Sequence, residues 1–221
     1  MLSCTKLSKT YATERGPVEA VNGVDLELHG GFTALVGASG SGKSSLLAMI
    51  GGLSRPTAGA VLLDDTDIWA LPDSKLARIR NGRIGFVFQF SSLLPTLRLI
   101  DNVALPALLA DSRDGAAAYR RAADLLDRFG VAQHRDAYPA EVSAGEQRRA
   151  VIARALINAP ALLLADEPTS DLDAVTEGDI MQEFRTLAGR GAATLVMVTH
   201  NLRLAEQADR IVHIAAGRIV P

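Results

Sequence analysis

A chain of 221 residues is long enough for one domain with a buried core, or for a domain carrying a subdomain. Apolar residues make up 48% and mean hydropathy is +0.16, which excludes a disordered polymer. A formal charge of −2 and a pI near 6.1 argue against a broad electrostatic surface for nucleic acid.

The N-terminal MLSCTKLSKTYATERG lacks the apolar core of a signal peptide. Its single cysteine, Cys4, has no internal disulfide partner, fits a reducing compartment, and reads as a small hydrophobe. Apolar runs such as ALLLA (161–165) fall far short of the ~20 residues needed to cross a bilayer. The expectation is a soluble, cytoplasmic chain that reaches a membrane only through a partner.

Residues 18–30, VEAVNGVDLELHG, alternate apolar and polar positions like a half-buried strand, and 59–68, GAVLLDDTDI, read the same way. FTALVG (32–37), ALLLAD (161–166) and TLVMVTH (194–200) are short and apolar on both faces, the pattern of buried parallel strands. GAAAYRRAADLLDRFG (115–130) reads as a helix with Ala118, Ala122, Leu125, Leu126 and Phe129 on its apolar side, closed by Gly130. The predicted fold is α/β: a parallel-sheet core, antiparallel strands near the N-terminus, and a helical insert at about 92–157.

The polar residues that follow the three buried strands carry the chemistry. GASGSGKS (37–44) satisfies G-x-x-x-x-G-K-[ST] between a strand and a helix. Gly37, Gly40 and Gly42 let backbone N–H groups wrap a polyphosphate at a helix N-terminus, Lys43 reaches the β and γ phosphates, and Ser44 is a ligand for Mg²⁺. LLLADEP (162–168) delivers Asp166, a candidate holder of the same ion, and Glu167, a candidate for polarising an attacking water. His200 ends the third strand on the same sheet edge, where a structural and a functional role are both open. Gln89, in IGFVFQF, has a carbonyl oxygen suited to the metal or the water. His29, His134 and His213 have no comparable setting and are assigned no role. VSAGEQRR (142–149) contains S-x-x-E, Ser143 to Glu146, a capping box before the apolar face of Val151, Ile152, Ala155 and Leu156. An exposed helix N-terminus is also an anion site, so cap and ligand site are compatible readings.

In this order the motifs resemble the nucleotide-binding subunit of an ATP-binding cassette (ABC) transporter, and the resemblance covers essentially the whole chain. It implies a P-loop NTPase (RecA-like) core and a single ABC ATP-binding domain over 1–221, with about 92–157 as the helical subdomain. It implies Tyr11 as the aromatic that stacks on adenine, and Gly37, Ala38, Ser39, Gly40, Ser41, Gly42, Lys43, Ser44 and Ser45 as the ATP-binding loop. It implies Gln89, Glu167 and His200 as catalytic residues, with Ser44, Gln89 and Asp166 around Mg²⁺. SDLD (170–173), with Asp171 and Asp173, stands at the D-loop. Ser143, Ala144, Gly145 and Glu146 stand at the signature, which in the family contacts ATP bound on the opposite subunit of a head-to-tail dimer.

Two departures from the family pattern stand out. In the signature, Val142 replaces leucine, a conservative apolar swap, and Ala144 replaces the first glycine, at a cost of roughly 1 kcal/mol if the backbone there needs φ > 0. Asp171 occupies a position where the family carries a smaller or neutral residue. ERGPVEAVNGVDLEL and IGFVFQFSSLLPTLRLIDNVALPALLA look most like the lipoprotein-release and macrolide-export branch (LolD/MacB type). That implies an integral membrane permease as partner, a second copy or a homologous ATPase for the dimer, a place on the cytoplasmic face of the plasma membrane, and no nucleic acid. FSSLLPTL, after Gln89, reads either as core or as a groove for a permease helix. The alternatives are an ATP-dependent regulator of an envelope or cell-division complex, a soluble ABC ATPase acting on nucleic acid or ribosomes, and a P-loop kinase; the last leaves VSAGEQRR and SDLD unexplained.

Overall fold

The computed structural model describes residues 1–90, 92–110, 114–170, 172–189 and 193–221. Strand β1 (Leu2–Thr13) pairs antiparallel with β2 (Gly16–Leu28), where Val24, Leu26 and Leu28 are buried and Asp25 and Glu27 exposed, the period-two pattern of a sheet covered on one face. β1 also pairs with β4 (Ala58–Leu63), and β4 with β5 (Thr66–Asp67), giving a four-stranded antiparallel sheet in the order β2-β1-β4-β5. Residues 59–68 are therefore a hairpin and not one strand. Asp64 and Asp65 sit at φ 45° and 64°, two left-handed turn positions that short acidic side chains tolerate. Cys4 lies inside this sheet, and burial pushes its thiol up to about 12, leaving it a hydrophobe.

The second sheet has the order β10-β9-β3-β8-β7-β6. β3 (Phe32–Val36), β6 (Ile84–Val87), β7 (Leu162–Asp166), β8 (Thr194–Thr199) and β9 (Arg210–Ala215) run parallel, and β10 (Arg218–Val220) closes one edge as an antiparallel hairpin. Alternation along these strands feeds two large cores, and Ala34 and Val36 pack with Ala205 in a small third one. Leu162, Leu164, Val196 and Val198 pack toward α1 (Lys43–Ile50) and the antiparallel sheet; Leu163, Ala165, Leu195 and Met197 pack toward α6 (Ala174–Gly189) and the helical insert. Both faces are thus covered, which is why the strands read as continuous apolar runs.

α2 (Asp73–Arg83) precedes β6, and α3 (Leu99–Leu109), α4 (Gly115–Arg128) and α5 (Ala144–Leu156) form the insert. Ala118, Ala122, Leu126 and Phe129 are buried there, as the sequence pattern requires, and a short α7 (Leu202–Ala205) follows β8. Among the described residues, no helix is long and apolar enough to cross a membrane.

Candidate functional site

Because β3, β8 and β7 are adjacent and parallel, their carboxyl ends lie on one edge of the sheet. β3 ends in the 37–42 loop, which turns into the N-terminus of α1. Two glycines show what the loop demands. A Cβ on Gly37 would lie 2.1 Å from the Ile214 carbonyl oxygen. Gly42 has φ 102°, and a Cβ there would lie 2.0 Å from the Ala20 carbonyl oxygen. Lys43 is 8% exposed and folds back over the loop, donating from Nζ to the carbonyls of Gly37 and Ala38 at 2.8 Å each.

β7 ends on Asp166, and Glu167 follows in the left-handed region at φ 45°, its N–H donating to the Val198 carbonyl at 3.0 Å. That unusual backbone turns the side chain toward the end of β8. There Glu167 Oε1 accepts from the His200 backbone N–H at 3.0 Å and lies 2.8 Å from His200 Nδ1. The Glu167 side chain is 14% exposed and the His200 side chain 74%. Asp166 Oδ1 is buried and, among the described residues, has no hydrogen-bond partner. Burial pushes this carboxyl above its ordinary value; a bond from Ser44 acts against that, the neighbouring Glu167 adds to it, and Lys43 opposes it.

These groups share a cleft of about 500 Å³, lined by Ser39 to Ser45, Gln89, Asp166, Glu167 and His200, with Ala20 and Val198 on its walls. Gly37 and Ala38 are not among the lining residues, but their carbonyls accept from Lys43, which is. Tyr11 also stands outside the lining but next to it, with its hydroxyl 3.4 Å from Ser45 Oγ and the residue 38% exposed.

The 143–146 segment is elsewhere: none of its residues lines the cleft. Ser143 is the N-cap of α5 and accepts from Glu146 N at 3.3 Å, while Glu146 Oε2 accepts from Ser143 N at 2.8 Å and Ser143 Oγ at 2.7 Å. These bonds hold the Glu146 carboxyl below its ordinary value, the Ser143 hydroxyl contributing most. Ala144 occupies the first helical position and is not among the residues with positive φ, so the backbone penalty envisaged for it does not arise. Asp173 is likewise a helix cap, its Oδ1 accepting from the N–H groups of Val175 and Thr176 at 3.0 Å each. Asp171 lies outside the described residues.

Gln89 is fixed from a direction that sequence reasoning missed. Arg148 of α5, 7% exposed, donates to the carbonyls of Phe88, at 2.6 Å, and Gln89; Arg154 donates to the Ser92 carbonyl at 2.8 Å and to its hydroxyl. An arginine placed inside an otherwise apolar helix face was the available signal. FSSLLPTL divides: Leu93 belongs to the core, whereas Phe90 and Leu94 are exposed. The apolar groove nearby, about 700 Å³, is lined by Leu53, Phe86, Phe88 and Leu109 instead.

A glycine-wrapped loop at a helix N-terminus, with acidic strand ends opposite it, defines a P-loop nucleotide-binding protein. The model of the ABC transporter family matches residues 21–170. The lipoprotein-releasing system ATP-binding protein LolD of Syntrophotalea carbinolica is 44% identical over 221 residues, covering 99% of this chain and 96% of that one. LolD of Geobacter metallireducens is 44% identical over 222 residues, covering 100% and 98%. The dimeric post-hydrolysis structure of the ATP-binding cassette MJ0796, bound to ADP and Pi, superimposes with a TM-score of 0.94 at 36% identity, covering 100% of this chain and 97% of that one. The chain belongs to the ABC transporter family, as an ATP-binding and ATP-hydrolysing subunit.

Proposed function

We propose that residues 1–221 form a single ABC ATP-binding domain that powers a membrane permease of the lipoprotein-releasing type from the cytoplasmic face of the plasma membrane. The observation that carries this reading is end-to-end similarity to LolD proteins at 44% identity, combined with a cleft in which the phosphate loop, Asp166, Glu167 and His200 converge.

ATP enters with its phosphates along Ser39 to Ser45, and its base meets Tyr11 at the cleft margin. Lys43 exchanges its two carbonyl bonds for phosphate oxygens, a trade of neutral acceptors for charged ones that favours the ligand. The residues fit Mg²⁺: the orphaned Asp166 Oδ1, the Ser44 hydroxyl and the Gln89 side chain offer the hard oxygen ligands this ion prefers. When bound, Mg²⁺ neutralises charge on the β and γ phosphates. Glu167 is the group that orients and polarises the attacking water, and His200 holds its carboxylate in place through Oε1.

The cleft is open on one side, and Ser143 to Glu146 of a second copy would close it. MJ0796 is described as a dimer, and the exposed N-terminus of α5 has the chemistry for a phosphate oxygen. The groove bounded by Leu53, Phe86, Phe88 and Leu109 is suited to an apolar helix of the permease. Closure would reach it through Gln89, which Arg148 ties to the signature helix.

The test is purification of the tagged chain from membranes. Co-purification of an integral permease that stimulates its ATPase is expected. A fully active ATPase that associates with ribosomes or nucleic acid, and with no integral protein, would overturn the assignment.

A further inference from the structure

His134 closes a short 3₁₀ turn (Ala132–His134) and packs beside the first turn of α5. Its Nε2 lies 3.0 Å from Glu146 Oε1, with the imidazole 37% and the carboxylate 19% exposed. Glu146 uses its other oxygen, Oε2, for Ser143 N and Ser143 Oγ. An ionised carboxylate only accepts, so Nε2 carries the proton and donates. The Glu146 carboxylate is thus held at both oxygens, by the histidine on one side and by the signature serine on the other.

This arrangement meets a specific difficulty. A serine that contacts the γ-phosphate of another subunit must aim its single hydroxyl hydrogen at an anion. Here that hydrogen points to Glu146 Oε2, and a second negative charge one turn into the helix opposes an incoming phosphate. Among the described residues, Ser143, His134 and Arg149 act on Glu146: the serine binds Oε2, the imidazole N–H donates to Oε1, and the Arg149 cation favours the ionised form.

We propose that His134 is a positioning residue of the signature: by donating to Glu146 Oε1 it draws on the carboxylate's charge, weakens the hold of Oε2 on the Ser143 hydroxyl, and so lets that hydroxyl turn toward phosphate when it arrives. The inference rests on the reading of Ser143 as a phosphate contact in trans. His134 touches neither substrate nor the reacting atoms, and acts through Glu146.

The experiment measures steady-state ATPase of the full chain with Mg²⁺, ATP affinity of the dilute single chain, and ATP-driven dimerisation in a Glu167→Gln background. His134→Ala is expected to lower kcat and dimerisation by about threefold to fivefold, the upper range of a partly exposed polar pair, with single-chain ATP affinity unchanged. His134→Arg restores both to within about twofold, since it keeps an N–H donor for Glu146 Oε1. In a Glu146→Gln background, His134→Ala adds less than about twofold, because the carboxylate it serves is gone. Wild-type kcat in His134→Ala, an equal loss with and without Glu146, or no rescue by arginine would each overturn the proposal. Ser143→Ala separates the two levels: if it is fully active, the in-trans reading falls and this inference with it; if it is impaired while His134→Ala is not, only the role of His134 falls.

Discussion

The nucleotide cleft and the tip of α5 are built on opposite principles. Around the cleft, the chain surrounds its functional groups: Lys43 is buried against its own loop, Asp166 Oδ1 is shut away with no partner among the described residues, and Glu167 is held in a left-handed backbone conformation. At the α5 tip, Ser143 and Ala144 are exposed, the backbone is relaxed, and the polar groups satisfy one another through the capping box. One region carries unmet demand for a charged ligand; the other is self-sufficient in isolation. That difference fits the proposed assembly of the site from two copies, in which one face would wait for ATP and the other would survive exposure without it.

The sharpest way to break this contrast is Glu167→Gln. It should lower ATP turnover by about a hundredfold or more, the usual contribution of a positioned base, while ATP binding persists and closed dimers accumulate. Wild-type turnover would remove Glu167 from its assigned place. Lys43→Ala should act earlier, weakening ATP binding to the single chain by about tenfold to a hundredfold as a charge-assisted contact is lost, readable by titration calorimetry.

Arg148 is where the two regions meet, since α5 reaches the Phe88 and Gln89 carbonyls through it. Arg148→Ala should cost about 1–3 kcal/mol in chemical denaturation, because two carbonyls lose a charged donor, and should uncouple permease stimulation from basal ATPase. An unchanged denaturation midpoint would show that the tie is slack.

The smallest effect is expected from Ala144→Gly. With Ala144 at the first helical position and no positive φ to relieve, glycine should leave ATPase within about twofold and lower stability by up to about 1 kcal/mol. A large gain in turnover would mean that the alanine methyl obstructs the phosphate from the opposite subunit.

The cleft was legible because its chemistry is local. GASGSGKS and LLLADE each place their ligand groups within one turn or one strand end, and buried parallel strands declare themselves by apolar runs. The capping box of Ser143 and Glu146 was legible for the same reason. The 59–68 hairpin was not, because a two-aspartate turn inside an apolar-polar alternation leaves the period-two pattern undisturbed. His134 received no role because its meaning depends on a carboxylate brought to it by the turn before α5.

The sequence by itself determined the class of chemistry: a phosphate-wrapping loop, acidic and imidazole groups after buried strands, and a capped helix start. Only the tertiary structure decided which of these share a space. Adjacent parallel strands carry Lys43, Asp166, Glu167 and His200 into one cleft and leave Ser143 outside it. Only the fold, too, set Arg148 against carbonyls about sixty residues away and buried Asp166 Oδ1 with no partner among the described residues. Strand order and burial bring distant residues together, and neither follows from spacing along the chain.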